Sequence, residues 1–234
     1  MKLKRIKVYA DGADYSDFVN LNKSKIIKGF TTNPSLMRKS GVKNYEKFAK
    51  KLIKVIKKPI SFEVFSDELD EMYIQAKKIS SWGNNVYVKI PIVNSKGVST
   101  IRLIKKLNLE KIKLNITAVF TFNQVNKIIN ILNSKTPSII SIFAGRIADT
   151  GIDPINILKR SIKLKKNNKN IKILWASTRE VLNIYQAENI NCDIITVPIG
   201  IIKKLNLYKK NLKKYSIETA KDFYLDGLKS KYKI

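Results

Sequence analysis

No histidine occurs among the 234 residues, and that absence excludes more chemistry than any residue present suggests. It removes imidazole acid–base catalysis, the Ser-His-Asp triad and every metal cluster that uses histidine. The single cysteine, Cys192, excludes an intramolecular disulfide framework and suits a reducing compartment, so a cytoplasmic location is expected. Glycine (9) and proline (6) are too sparse for collagen-like, linker-rich or low-complexity readings. No apolar run approaches the ~20 residues of a membrane-spanning helix, and no membrane partner is expected. The signal-like start, MKLKRIKVYADGAD, is broken by Asp11 and Asp14. Neither GxGxxG nor GxxxxGK[ST] appears, which argues against dinucleotide and P-loop sites. Catalysis must therefore come from Lys, Asp, Glu, Tyr, Ser or Thr.

Acidic residues are also scarce, 18 against 46 basic ones, for a net charge of +28. Such a surface attracts polyanions. Yet only 6 of the basic residues are arginine, the residue that reads bases bidentately. Lys, Ile and Asn together supply 98 of the 234 residues, the bias that A/T-rich codons produce unaided. The lysines are spread over nearly every expected helix, so compositional drift explains the charge better than a nucleic-acid partner does.

Short β-branched runs alternate with stretches of helical periodicity. Strands are expected at 6–10, 27–31, 59–65, 85–90, 113–119, 138–144, 171–176 and 193–198. Helical stretches lie between them at 44–58, 66–82, 97–107, 123–132 and 154–164, the last opened by Asp153 as a cap before Pro154. Eight strands alternating with helices over this length match an α/β fold, the (β/α)₈ TIM barrel. A doubly wound sheet usually has fewer strands and a Gly-rich first turn. One barrel domain over 1–234 is expected, with 203–234 as a charged amphipathic helical extension placed on the barrel or on a neighbouring subunit.

In such a barrel, function collects at the C-terminal strand ends. Those ends carry Asp11, Thr31 to Asn33, Glu63, Lys89, Asn115 with Thr117, Ser141 with Arg146, and Ser177 with Arg179. The eighth ends in Pro198 and offers nothing obvious. Lys89 shares a strand face with Tyr87, opposite Val86, Val88 and Ile90. A lone strand lysine is usually an edge residue, but a closed barrel has no edge. Burial there favours the neutral amine that imine formation needs. Asp11 and Glu63 flank it, either as proton carriers or as a turn cap and an ion pair. Arg146 and Arg179 suggest an anion clamp, or structural pairs with Asp149 and Glu180. A lysine nucleophile, two carboxylates and a phosphate site together point to aldol chemistry on a sugar phosphate.

These motifs resemble the transaldolase family, including its short members and the related fructose-6-phosphate aldolases, from residue 8 to about residue 201. The resemblance rests on Gly29-Phe30-Thr31-Thr32-Asn33-Pro34-Ser35-Leu36, Tyr87-Val88-Lys89-Ile90-Pro91, Leu114-Asn115-Ile116-Thr117-Ala118-Val119-Phe120, Phe143-Ala144-Gly145-Arg146-Ile147-Ala148-Asp149 and Ala176-Ser177-Thr178-Arg179. It implies a class I mechanism without metal or cofactor, in which Lys89 forms the Schiff base and Asp11 is the base of carbon–carbon cleavage. Glu63 with Thr117 and a water would shuttle protons. Thr31, Asn33, Asn115, Ser177 and Phe143 would contact substrate, and Arg146 and Arg179, with Ser141, would hold phosphate. Glu63 and Phe143 stand where the aldolases carry Gln and Tyr, so transfer of a three-carbon unit is the first expectation and free aldolase activity the second. Ile142, Thr178 and Trp175 depart from the family pattern and would touch the phosphate end. A homo-oligomer is the implied assembly. Other readings are an unusual ketose substrate, or a basic barrel that binds polyanions.

Overall fold

The β-branched runs form strands that close on themselves. A computed structural model of the chain, describing residues 3, 5–165 and 168–232, shows a parallel eight-stranded barrel with strands in chain order. They are β1 (Lys7–Asp11), β2 (Ile27–Thr31), β3 (Ile60–Glu63), β4 (Val86–Pro91), β5 (Leu114–Val119), β6 (Ser138–Ile142), β7 (Ile171–Trp175) and β8 (Ile194–Pro198). Closure comes from β8 pairing along β1, from Lys7↔Ile194 to Asp11↔Pro198. The expected (β/α)₈ barrel is the observed fold.

Helices run between successive strands: α1 (Tyr15–Asn22), then α2 (Pro34–Lys39) and α3 (Tyr45–Val55), then α4 (Leu69–Ser80), α5 (Ile101–Leu109) and α6 (Phe122–Ile131). Next come α7 (Ala144–Ala148) with α8 (Ile155–Leu164), and then α9 (Leu182–Asn189). Local chemistry sets their starts. Asn44 Oδ1 accepts from Lys47 N–H at 2.8 Å to open α3, and Thr121 with Gln124 forms a reciprocal capping box on α6. Just ahead of α8, whose N-cap position is Pro154 rather than the expected Asp153, Asp153 accepts from Ile155 N–H at 2.9 Å.

Period-two alternation divides the apolar side chains into two cores. Outward-facing residues such as Val88, Ile140 and Ile173 pack with Leu52, Met72, Ile104 and Ile128 of the helices. Inward-facing Tyr9, Ile139, Leu174, Ala176 and Ile194 form a smaller cluster inside the barrel. Each fully buried aliphatic side chain contributes roughly 1.5–3 kcal/mol, so the populous outer shell dominates stability. Inside, Tyr9 lies so close to β2 that a Cβ at position 29 would sit 2.5 Å from its ring, which requires Gly29.

Past β8 the chain continues as α10 (Ile199–Lys203), a 3₁₀ turn (Lys204–Leu207) and α11 (Leu212–Ser230). No side chain of α11 is buried, and Leu212, Ile217 and Phe223 are 79%, 69% and 72% exposed. Of the expected extension, residues 233 and 234 lie outside the described residues, as do 1, 2 and 4 of the signal-like start. Among the described residues, no helix is long and apolar enough to cross a membrane.

Candidate active site

The side-chain alternation of β4 turns Lys89 into the barrel beside Glu63, its register partner on β3. Lys89 is 8% exposed. Its Nζ lies 3.0 Å from Glu63 Oε2 and donates to the Thr32 carbonyl at 2.9 Å. The Tyr45 hydroxyl fixes the Glu63 backbone, accepting from its N–H at 2.8 Å and donating to its carbonyl at 3.1 Å. Burial pushes the Tyr45 phenol upward, which keeps it a neutral donor. The ion-pair alternative for Glu63 is thus the observed geometry, and it sets a carboxylate within proton reach of the amine.

Asp11 ends β1, and Thr31, its register partner on β2, donates to its Oδ1 at 2.7 Å. Burial raises the Asp11 carboxyl above the usual range; Lys89 and the Thr31 hydrogen bond oppose that shift, while Glu63 adds to it. The turn-cap alternative for Asp11 falls, because Asp14 caps α1 by accepting from Asp17 N–H at 2.9 Å.

Asp11 and Lys89 share a cavity of about 240 Å³ with Thr31, Asn33, Asn115, Thr117, Ser141, Phe143, Arg146, Ser177 and Arg179. Every residue given a catalytic or substrate-binding role from sequence therefore lines one cavity, except Glu63, which reaches it through Lys89. Several of them also hold local structure. Asn33 caps α2, its Oδ1 accepting from Leu36 N–H at 2.9 Å ahead of Pro34 in the first turn. Asn115 has its amide oriented at both ends: Ser141 Oγ donates to Oδ1 at 2.6 Å, and Nδ2 donates to Ser61 Oγ at 3.0 Å. At the end of β5 the pairing with β6 slips between Ile116 and Val119, with Ala118 at φ 55°. Thr117 Oγ1 there is buried with no hydrogen-bond partner among the described residues. An orphaned hydroxyl in a polar cavity suits a water or a substrate oxygen.

The anion end is built over a strained turn. Ser177 sits at φ 63°, an uncommon conformation for a residue with a side chain. Arg179 forms a two-point pair with Asp149, Nε donating to Oδ1 at 3.2 Å and a second nitrogen to Oδ2. Arg146 lies over the Phe143 ring, 5.6 Å from its centroid. Both guanidinium groups are anchored and still line the cavity.

The cavity also includes Ala176, Thr196 and Pro198, which sequence reasoning did not assign. The signal for Thr196 was available, since period two from Pro198 puts it on the inward face. Two expectations are corrected. Ile142 and Trp175 do not touch the phosphate end; both are buried in the outer shell, among residues packed between strands and helices. Thr178 does line the cavity, and its hydroxyl donates to the Thr196 carbonyl at 2.7 Å.

The transaldolase/fructose-6-phosphate aldolase family matches residues 8–231. The chain belongs to this family. The match runs through α11, beyond the resemblance read from sequence, which reaches about residue 201. Among curated transaldolase relatives, a probable transaldolase of Thermoplasma volcanium is 34% identical over 210 residues, covering 88% of this chain and 90% of its own. A probable transaldolase of Nitrosopumilus maritimus is 32% identical, covering 86% and 87%. One from a Thermoanaerobacter species is 30% identical over 227 residues, covering 96% and 100%. Of solved structures, KGPDC from Streptococcus mutans shares the barrel fold at a TM-score of 0.58 and 11% identity, covering 87% of this chain and 92% of its own.

Proposed function

We propose that the protein is a transaldolase that moves a three-carbon dihydroxyacetone unit between sugar phosphates through a Schiff base on Lys89. The observation that carries this reading is the 3.0 Å Lys89–Glu63 contact opening onto the cavity that holds Asp11. Glu63 takes the ammonium proton, and the freed Lys89 amine attacks the ketone of a ketose phosphate such as fructose 6-phosphate. Loss of water leaves an iminium carbon at C2. Asp11 then takes the proton of the C4 hydroxyl while the C3–C4 electron pair moves toward the iminium nitrogen. Glyceraldehyde 3-phosphate leaves, and an enamine remains on Lys89. The nitrogen is the electron sink, so the cleavage calls for no metal or cofactor.

The reverse sequence with an acceptor such as erythrose 4-phosphate builds sedoheptulose 7-phosphate, and hydrolysis of the imine frees Lys89. Thr117 and a water held by its hydroxyl serve the proton transfers beside Glu63. Asn33, Asn115 and Ser177 face the substrate hydroxyls, and Thr31 orients Asp11. Arg146 and Arg179, with Ser141, receive phosphate, and Ser141 also orients the Asn115 amide. Glu63 and Phe143, in the transaldolase pattern, support transfer over release of free dihydroxyacetone.

The exposed apolar side chains of α11 support a further element of this reading, that the protein works as an assembly of identical chains. Light scattering on the intact protein tests it, with a monomer as the contrary result.

Borohydride trapping with fructose 6-phosphate, followed by peptide mass spectrometry, tests the mechanism. A reduced three-carbon adduct on the Lys89 peptide is expected, and Lys89→Met should abolish it with the fold retained. An intact six-carbon adduct would show imine formation without cleavage. Undiminished turnover in Lys89→Met would refute the mechanism.

A further inference from the structure

Barrel closure brings a residue of β8 within one hydroxyl of Asp11. Thr196 lies in register with Tyr9 on β1, two residues before the end of its strand. It sits on the flank of β1 opposite β2, and its hydroxyl meets that of Thr31 at 2.5 Å. Thr31 in turn meets Asp11 Oδ1 at 2.7 Å. Thr196 and Thr31 are 6% and 3% exposed, so water competes little for either hydroxyl. The backbone at this height is pinned as well, because the Thr196 carbonyl accepts from Thr178 Oγ1 at 2.7 Å.

Counting protons gives the row a direction. A threonine hydroxyl carries one hydrogen and two acceptor lone pairs, and an ionised carboxylate only accepts. With Asp11 ionised, the single Thr31 hydrogen goes to Asp11. The contact between the two threonines is then satisfied in one way, with Thr196 donating to Thr31. Without that donor, the Thr31 hydroxyl loses the partner that holds its rotor, and its hydrogen is free to swing away from the carboxylate.

We propose that Thr196 is a positioning residue for Asp11: by donating to Thr31 it commits the Thr31 hydrogen to the Asp11 carboxylate, fixing where that carboxylate points and how readily it takes a proton. The catalytic consequence rests on the reading of Asp11 as the base of the cleavage step. The groups facing Asp11 are Thr31 from β2, Glu63 from β3 and Lys89 from β4, with Arg146 and Arg179 lining the same cavity beyond β6 and β7. None of these charges is altered by changing Thr196, so its effect on Asp11 can be read separately from theirs.

The test uses the full-length protein with Thr196→Val, which keeps the shape and removes the hydroxyl, and Thr196→Ser, which keeps the hydroxyl. The first measurement is the titration of the Asp11 carboxyl by carbon-13 NMR without substrate, assigned with Asp11→Asn. Thr196→Val should raise the midpoint by roughly half a unit to one unit, the scale of a weakened hydrogen bond to a charged acceptor. Thr196→Ser should leave it near wild type. The second measurement is turnover of fructose 6-phosphate with erythrose 4-phosphate. Thr196→Val should lower kcat several-fold while KM stays within roughly twofold, and the acid limb of the kcat profile should move to higher pH. Thr196→Ser should restore both. An unmoved Asp11 midpoint in Thr196→Val, or equal shifts in both variants, overturns the proposal. Absence of a Lys89 adduct in wild type would instead strike the reading of the reaction, and the Asp11 titration would still decide the role of Thr196.

Discussion

Gly145 lies directly beneath the carbonyl of Ser177, so close that a Cβ on Gly145 would stand 1.6 Å from that oxygen. The contact joins α7, which carries Arg146, to the turn that carries Ser177 and Arg179. The neighbouring atom is backbone, so no side chain can yield. Gly145→Ala should therefore cost roughly 1–3 kcal/mol of stability, in the range of overpacked cores. It should also impair phosphorylated substrates more than plain sugars. Thermal unfolding together with KM for both substrate kinds checks this; an unchanged Tm would contradict the close approach.

Glu63→Gln keeps a hydrogen-bond partner for Lys89 and removes the proton acceptor. Transfer should fall by roughly 100-fold, the lower scale for losing a positioned acid–base group, with free dihydroxyacetone increasing among the products. Rates with and without acceptor measure both effects. Unchanged kinetics would take Glu63 out of the proton path.

Arg179→Ala should raise KM for phosphorylated substrates by roughly tenfold or more, the worth of a charge-assisted hydrogen bond, and leave plain sugars nearly unaffected. Asp149→Asn probes the anchor alone. The Arg179–Asp149 pair is about half exposed, with side chains 50% and 53% accessible, so breaking it should barely move Tm. KM should still rise, because the guanidinium is no longer held. Equal changes for phosphorylated and plain sugars would refute the clamp.

The raised Asp11 carboxyl links the site to stability. The folded state holds this proton more tightly than the unfolded chain does. Stability from this group is therefore greatest below the ordinary carboxylate range and declines as pH rises toward the elevated folded value. Asp11→Asn removes that decline, so it should raise Tm at neutral pH, with the gain shrinking in acid, while abolishing cleavage. Parallel Tm–pH curves for the two proteins would show that Asp11 carries no such strain.

Burial pushes the Cys192 thiol up to about 12, with Asp193 adding to the shift. At pH 8 roughly one thiol in ten thousand would be ionised, and thiolate is the reactive form. Aromatic disulfide reagents should leave native Cys192 unmodified and label it rapidly in denaturant, so the labelling rate reports opening of the barrel. Fast labelling of the native protein would contradict the burial of Cys192.

The strands were legible because each is a short β-branched run bounded by helical periodicity, and boundaries differ by at most two residues. The expected strand at 138–144 ends at Ile142 because Phe143 turns the chain into α7. The short helices α1, α2, α7 and α9 were not read, being too brief to show a period. Lys89, Asp11 and Asn33 announced themselves as polar residues at strand ends or in a specific signature. Thr196 did not, because Pro198 marks the end of its strand and only closure of β8 onto β1 brings Thr196 near Asp11. Trp175 was misplaced for a related reason: linear proximity to Ser177 says nothing of the barrel face a side chain occupies. The Arg179–Asp149 pair spans 30 residues, and helix placement alone decides it.

The pairing of β8 with β1 has a consequence for biosynthesis. Asp11 is made before Thr196, which comes 185 positions later, so roughly 10–40 s of translation separate them at ordinary elongation rates. A nascent or prematurely terminated chain can already carry Lys89 and Glu63, yet it lacks the strand that seals the barrel around them. The Lys89 amine thus gains its enclosing wall only when β8 arrives, and a broken message yields a fragment without the finished pocket.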